Sequence, residues 1–215
     1  MHPDKLKSLE DWIEKAWKCT SKDFIDNNRW ILWTEAAALK YPFFHNLERL
    51  REEFNTKRVM AIQEYRPIAP KSARCSKDGC SCKHGRQSKD GGKKIDLCIV
   101  QFEEELPFNI IYTEPKQKWE HNLWCFKPKP IIAMEFKYFL EKIEKDAIKK
   151  DISKLEGMLD KYGSELAYLC IVSDSQPSKK ILPLENSENE EKFRVAIGTC
   201  DNDLEKWKVI PYKKL

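Results

Sequence analysis

A glutamate and a lysine, Glu135 and Lys137, stand two residues apart in an apolar run that covers residues 131–139. The run is rich in β-branched and aromatic residues, which is typical of a buried strand. Alternate side chains of a strand share a face, so Glu135 and Lys137 point one way while Met134 and Phe136 point the other. A carboxylate and an ammonium on one buried face are costly to desolvate. The pair therefore indicates a site at which a divalent metal lies beside a phosphodiester.

Two further acidic residues occupy positions at which a solvated carboxylate is not expected. Asp96 lies in a second strand-like run, and alternation places it on one face with Cys98 and places Ile95 on the other. Glu35 falls on the apolar side of a helical pattern, with Ala38 and Leu39. Two or three converging carboxylates suit a hard cation such as Mg²⁺ or Mn²⁺, which takes oxygen ligands. Such a metal polarises a phosphate, and a lysine beside it can orient the attacking water.

The order of these residues resembles that of the PD-(D/E)XK nuclease superfamily, which has the restriction-endonuclease-like fold. Asp96, preceded here by an isoleucine, stands for the Pro-Asp element, and the triplet Glu135–Lys137 stands for the Glu-x-Lys element. The resemblance spans roughly residues 28–173. It implies an α/β (α+β) fold with an αβββαβ core, in which helices flank a mixed central sheet, with added N-terminal helices and C-terminal strands.

The resemblance also implies roles for the site residues. Asp96 and Glu135 would hold Mg²⁺ or Mn²⁺, Glu35 would complete or support the metal shell, and Lys137 would assist the attacking water. The implied function is a metal-dependent deoxyribonuclease that hydrolyses phosphodiester bonds in DNA, with RNA as an alternative substrate and with endonuclease and exonuclease action both open. One departure matters, because 39 positions separate Asp96 from Glu135. Residues 102–129 must therefore loop out as an insertion.

Each of these residues also has an ordinary structural explanation. Asp96 could cap its strand or pair with Lys94, Glu35 could reach the edge of its helix, and the glutamate–lysine pair could be a simple ion pair. Glu64, on the preceding strand, is a lesser candidate ligand that could equally form a rim ion pair with Arg66 or with the lysine of the pair. For the whole protein, the alternatives are a catalytically inactive nucleic-acid-binding module and a zinc-stabilised interaction protein.

A basic, cysteine-rich loop at residues 71–94 precedes the strand of Asp96. Its Cys-x4-Cys-x-Cys-x-His cluster has enough ligands for a tetrahedral structural Zn²⁺, and a flexible loop with reduced thiols is the alternative. The cluster consists of Cys75, Cys80, Cys82 and His84. With eight Lys or Arg against two Asp, the loop could also neutralise DNA phosphates. The candidate nucleic-acid-binding residues are Lys83, Arg86, Lys89, Lys93 and Lys94.

Composition and charge set the remaining expectations. The chain has 215 residues, of which 41% are hydrophobic, which is enough for a single domain over residues 1–215. The net charge of +4 is too small to identify a nucleic-acid binder by itself. No apolar run reaches the roughly 18–20 residues that cross a bilayer, and the N-terminus lacks the apolar core of a signal peptide. We therefore expect a cytoplasmic protein without a membrane partner, either a monomer or a homodimer.

The hydrophobic pattern predicts the elements that must position the site. The first 55 residues favour helices, and Pro42 is expected to interrupt the second of these before a third at residues 44–54. A later helix is expected to end at Gly163, between two strands, which predicts a mixed sheet with a right-handed crossover. The expected strands cover residues 58–66, 94–100, 131–139, 166–172, 193–197 and 207–211.

Overall fold

The computed structural model describes most of the chain. The described residues are 1–28, 34–54, 58–65, 67, 94–102, 129–139, 143–174, 176–201 and 203–215. They form three α-helices and one six-stranded sheet, so the architecture is mixed α/β, as expected. Within these ranges, no helix combines the length and the apolar character that crossing a membrane requires.

Helix α1 (Pro3–Asp26) follows from the spacing of its apolar residues. Trp12, Ile13 and Trp17 recur at helical intervals, and all three are buried. The proline lies in the first turn, where its missing N–H has no helical partner to lose. The helix expected at the N-terminus is therefore confirmed.

The expectation that Pro42 interrupts the second helix is wrong. A π-helical turn (Ala36–Lys40) runs directly into helix α2 (Tyr41–Leu50), so the helical backbone continues without a break. Pro42 is tolerated because it lies in the first turn of α2, directly after the turn in which the hydrogen-bond spacing changes. The expected third helix therefore begins earlier than predicted, and a 3₁₀ turn (Arg51–Phe54) follows it.

The sheet contains all six expected strands, with bounds that differ from the expected ones by no more than about two residues. The strands lie side by side in chain order as β1 (Val59–Tyr65), β2 (Ile95–Gln101), β3 (Lys129–Phe139), β4 (Leu166–Ser173), β5 (Phe193–Thr199) and β6 (Lys208–Pro211). β1, β2 and β3 are antiparallel neighbours, β3, β4 and β5 are parallel, and β6 is antiparallel to β5. The sheet is therefore mixed, and the handedness of the crossover stays a prediction.

Helix α3 (Lys145–Asp160) connects the parallel strands β3 and β4, because parallel neighbours need a crossover of this length. Its apolar residues Ile148, Ile152 and Leu155 are buried against the sheet. Gly163 follows with a φ of 70°, the left-handed conformation that glycine adopts without a steric penalty. The expected helix is confirmed, but it ends at Asp160 with Lys161 as its C-cap, so the glycine follows the cap instead of forming it.

The sheet separates two apolar layers. Helices α1 and α2 cover one face, on which Leu97, Met134 and Phe136 are buried. Helix α3 covers the other face, on which Cys98 and Ala133 are buried. Consecutive residues of β2 and β3 thus alternate between the layers, and a polar side chain midway along β3 must face one layer of helices or the other.

Candidate functional site

Asp96 lies where β2 stops pairing with β3. The last paired residues are Leu97 and Met134, and two positions further along β3 the N–H of Phe136 donates to Asp96 Oδ2 at 3.1 Å. The carboxylate takes the place of a backbone carbonyl and satisfies an N–H that the strand ladder leaves unpaired. This bond brings Asp96 next to the Glu-x-Lys segment, so the long insertion does not keep the two parts of the site apart.

Side-chain alternation along β2 breaks at Asp96. Ile95 packs in the same apolar layer as Cys98, so the expectation that these two residues lie on opposite faces of β2 is wrong. The neighbouring strand offers the physical reason, because Glu64 of β1, opposite Asp96, has a left-handed backbone with a φ of 56°. Such a conformation is unusual for a residue other than glycine and marks a local irregularity of the strand pair.

Glu135 is a buried carboxylate with one unpartnered oxygen. The residue is 1% exposed, and its Oε2 accepts a hydrogen bond from Lys154 Nζ at 3.0 Å. Among the described residues, none forms a hydrogen bond with Glu135 Oε1. Burial, and then the negative charges of Asp96 and Asp151, raise the pKa of Glu135, and the pairing with Lys154 offsets this only in part. A buried acid of this kind indicates that a further cation or donor belongs beside it.

Lys137 lies on the same face of β3 as Glu135, as predicted. Both side chains pair with residues of α3, which covers that face. Lys137 Nζ lies 2.7 Å from Asp151 Oδ2 and 3.5 Å from Glu35 Oε2. Burial lowers the pKa of Lys137, but the hydrogen bond to Asp151 and the charge of Glu35 outweigh burial and raise it overall. Burial raises the pKa of Glu35, against the opposing charge of Lys137. Glu35 therefore reaches the site through Lys137.

Asp151 and Lys154 of α3 belong to the same cluster, although the sequence pattern alone did not single them out. Asp151 is 3% exposed, and its two oxygens lie 2.7 Å from Lys137 Nζ and 2.7 Å from Lys154 Nζ. One carboxylate thus holds both ammonium groups at this point of the sheet. The sequence signal that could have identified Asp151 is helical periodicity, since this residue falls on the apolar face of the helix, between Ile148 and Ile152.

A buried lysine on the π-helical turn approaches Asp96. Lys40 is 7% exposed, and its Nζ lies 3.4 Å from Asp96 Oδ1 and also hydrogen-bonds to Glu64. Glu64 pairs in addition with Lys94 at the start of β2. Glu64 thus forms rim ion pairs, but with these two lysines and not with Lys137, and Arg66 lies outside the described residues.

The charged groups form two ion-pair chains that meet where Asp96 lies beside the Glu-x-Lys segment. We call this arrangement the acid–lysine cluster. It consists of the acids Glu35, Glu64, Asp96, Glu135 and Asp151 and the lysines Lys40, Lys94, Lys137 and Lys154. The acids outnumber the lysines by one. With every acid ionised, the cluster therefore carries one negative charge, which an added cation would offset.

Within the described part of the chain, no three His, Cys, Asp or Glu side chains are arranged as a ready-made metal site. The donor chemistry nevertheless fits Mg²⁺ or Mn²⁺, which bind through few carboxylates and keep several waters. Asp96 and Glu135 come from adjacent strands, and Glu135 offers the unpartnered Oε1. These two residues are therefore the ones that could hold a metal here.

The candidate zinc cluster and most of the basic loop fall outside the described residues. The same applies to most of the insertion, so the expectations that rest on these segments stay predictions. The affected candidate residues are Cys75, Cys80, Cys82, His84, Lys83, Arg86, Lys89 and Lys93. Lys94 is described, and it is paired with Glu64.

Comparisons of the chain with protein-family models, with curated proteins and with solved structures found no match. Fold and site define a mixed α/β protein with a partly buried acid–lysine cluster, to which strands β1–β3, the π-helical turn with the residue before it, and α3 all contribute. Its function must be argued from that cluster.

Proposed function

We propose that this protein is a metal-dependent nuclease that hydrolyses phosphodiester bonds in DNA. The observation that supports it most strongly is Glu135, a buried acid with an unpartnered oxygen, on the strand next to Asp96. Lys137 lies two residues further on, on the same face. This combination suits a phosphodiester hydrolase, because the acids would supply metal ligands and the lysine a positive charge near the phosphate.

We further propose that the core is restriction-endonuclease-like. Support comes from the order of the elements, since a helix precedes three antiparallel strands, and a helix and a parallel strand follow them. The acids fall on the second and third of these strands, and Glu35 directly precedes the π-helical turn ahead of the sheet. This is the order that the resemblance to PD-(D/E)XK nucleases implies.

In the proposed mechanism, Asp96 and Glu135 would hold Mg²⁺ or Mn²⁺, and the ion would supply Lewis-acid polarisation of the scissile phosphate. Lys137 Nζ donates a hydrogen bond to the attacking water, and its charge offsets the negative charge that grows on the phosphate oxygens. Asp151 Oδ2 keeps Lys137 in place, and Lys154 Nζ fixes the orientation of Glu135 through Oε2. Lys137 and Glu135 are thus each oriented by a neighbour on α3.

A catalytically inactive nucleic-acid-binding module is the second candidate. It is favoured by the lysines that already contact the acids, with Lys40 on Asp96 and Lys154 on Glu135. In such a module the ion pairs would be purely structural, and no metal would be needed. The two candidates differ in whether a divalent metal leads to cleavage.

A cleavage assay on linear, circular and single-stranded DNA, with and without Mg²⁺ or Mn²⁺, separates them. Wild type is compared with Glu135→Gln, Lys137→Met and a control, Glu156→Gln, which alters a different buried acid of α3. We expect metal-dependent cleavage by wild type and by the control, and a loss of at least about 100-fold in the other two variants. Equal cleavage in all four proteins would overturn the assignment, whereas binding without cleavage by wild type would establish the inactive module.

A further inference from the structure

Tyr41 is unusual among the aromatic residues of the described chain. It is 54% exposed, whereas the other Phe, Trp and Tyr side chains in these ranges are buried or half-buried. Most of the surface of an exposed tyrosine ring is available for contact with a partner. The position of this ring, at the first residue of α2, therefore needs an explanation.

The ring lies beside the acid–lysine cluster. Lys40 Nζ is 6.0 Å from the centroid of the Tyr41 ring and 3.4 Å from Asp96 Oδ1. One ammonium group thus lies between the exposed ring and the acid that we assign to the metal. A molecule that reaches the acids from this side would meet the exposed ring first, with the buried ammonium behind it.

The exposed face of α2 continues the same surface. His45 and Arg49 follow Tyr41 at intervals of four residues, so the three side chains lie along one side of the helix, and all three are exposed. From Tyr41 to Arg49 the helix rises about 12 Å, which corresponds to about three nucleotides at the rise of a B-form strand. We call these three residues the α2 stripe. It presents two flat rings and one guanidinium but no acid.

We propose that the α2 stripe is the docking surface for one strand of DNA, with an unpaired base stacked on the Tyr41 ring. The proposal deepens the proposed nuclease function and rests on it. An aromatic ring stacks on any base, because every base has a π face, and an arginine beside it neutralises the backbone. Lys40 stays buried and paired with Asp96 and Glu64, so its charge lies near the docked strand without contacting it.

The stripe also predicts the form of the substrate. A base inside a duplex is already stacked on both faces, so it can reach Tyr41 only after unpairing. The protein should therefore prefer single strands, or duplexes with a frayed or overhanging end, over blunt duplexes. The preference follows from the stacking of a base on Tyr41, because neutralisation of the backbone by Arg49 does not distinguish a single strand from a duplex.

The test uses a short single-stranded DNA that carries one 2-aminopurine, whose fluorescence is quenched on stacking. Binding is measured without divalent metal, so that no cleavage occurs, for wild type and for Tyr41→Phe, Tyr41→Leu and Arg49→Gln. The control is Leu204→Ala, which alters a side chain of similar exposure (49%) next to the opposite edge of the sheet. The substituted side chains are exposed and lie outside the core, and thermal unfolding of each variant verifies folding.

We expect Tyr41→Leu to weaken binding about tenfold and to abolish the quenching, while Tyr41→Phe and the control stay within about twofold of wild type. Arg49→Gln should weaken binding. It should also reduce the slope of the logarithm of the binding constant against the logarithm of the salt concentration by about one. The same DNA annealed to its complement should bind equally to wild type and Tyr41→Leu. Wild-type affinity in Tyr41→Leu, or an equal loss in Tyr41→Phe and Tyr41→Leu, would overturn the stacking role.

Failure of this proposal differs from failure of the nuclease assignment. If wild type binds DNA through Tyr41 but does not cleave it with Mg²⁺ or Mn²⁺, the docking surface stands and the nuclease function is overturned. If wild type cleaves DNA and Tyr41→Leu binds and cleaves equally well, the nuclease function stands and the docking surface is overturned.

Discussion

The backbone N–H of Phe136 donates a hydrogen bond of 3.1 Å to Asp96 Oδ2. The two residues are 40 positions apart in the chain, and the bond forms where the β2–β3 ladder has ended. It therefore joins the acid of one strand to the middle of the Glu-x-Lys segment of the next. The geometry of the candidate site depends on this contact, because it sets how close Asp96 comes to Glu135.

The contact leads to a prediction about the stability of two variants. Asp96→Asn keeps an oxygen that can accept from Phe136, whereas Asp96→Ala leaves that N–H without its partner. We expect Asp96→Ala to lower the free energy of unfolding by roughly 1–3 kcal/mol more than Asp96→Asn does. Urea denaturation measures the difference. Equal stability of the two variants would show that the bond does not hold the strands together. Both variants should lose cleavage, since both lose a charged ligand.

Glu135 provides a prediction about pH. Its pKa in the folded protein is raised above the usual value of 4.5, so the folded state binds a proton more tightly than the unfolded chain does. The free energy of unfolding should therefore fall as the pH rises from about 4.5 towards the raised pKa, and it should be insensitive to this group below that window. In metal-free protein, Glu135→Gln should remove this pH-dependent fall in the free energy of unfolding.

The measurement is the free energy of unfolding of wild type and Glu135→Gln at acidic and neutral pH, in the presence of a chelator. At neutral pH the variant should be more stable by roughly 1–3 kcal/mol, and at pH values below the window the difference should shrink. A variant that is less stable than wild type at neutral pH would mean that the pairing with Lys154 outweighs burial.

Asp151 is predicted to act by positioning Lys137. Asp151→Asn keeps the shape of the side chain but removes the charge that holds two ammonium groups at 2.7 Å. We expect kcat for DNA cleavage to fall about 100-fold with a smaller change in KM, because the lysine loses its orientation and the substrate still binds. Asp160→Asn, which alters another acid of the same helix, serves as the control. A change confined to KM would assign Asp151 to substrate binding instead.

Gly198 of β5 tests the packing between the sheet and Trp207. A Cβ at this position would come within 2.7 Å of the indole ring, so Gly198→Ala should destabilise the fold by about 1–3 kcal/mol. Gly157, inside α3, has no atom within 4 Å of its Cβ position, and Gly157→Ala should stabilise the fold by about 0.5–1 kcal/mol. Thermal unfolding of both variants checks the opposite signs. A neutral Gly198→Ala would show that Trp207 can move.

The parts of the fold that could be predicted from sequence are those in which an apolar run or a regular helical period marks the buried residues. Strands β3 and β4 are flanked on both faces by helices, and their continuous apolar runs identified them. The prediction of a break at Pro42 failed because the π-helical turn before it changes the hydrogen-bond spacing, and spacing of that kind leaves no pattern in the side chains. The face of Ile95 was predicted from alternation within β2 alone. That prediction failed because the irregularity of the strand pair is at Glu64, on the neighbouring strand.

The candidate site was predictable to a similar extent. Glu135 and Lys137 could be placed on one face because strand alternation is strict at the centre of a sheet. Asp151 could have been found from its place on the apolar face of α3, where a charged residue needs a partner. Lys40 could not, because its contact with Asp96 depends on how the π-helical turn packs against β1 and β2, and long-range packing is not encoded in local spacing.

The most direct test of the central claim is Mn²⁺ binding, since it requires no knowledge of the correct DNA substrate. Titration of the metal-free protein, with free Mn²⁺ followed by electron paramagnetic resonance, should show binding to wild type and to the control Glu156→Gln. Asp96→Asn and Glu135→Gln should each lose that site, and Mg²⁺ should displace Mn²⁺ from the wild type. Unchanged Mn²⁺ binding in Asp96→Asn and Glu135→Gln, or no binding by wild type, would contradict the assignment of these two acids as metal ligands.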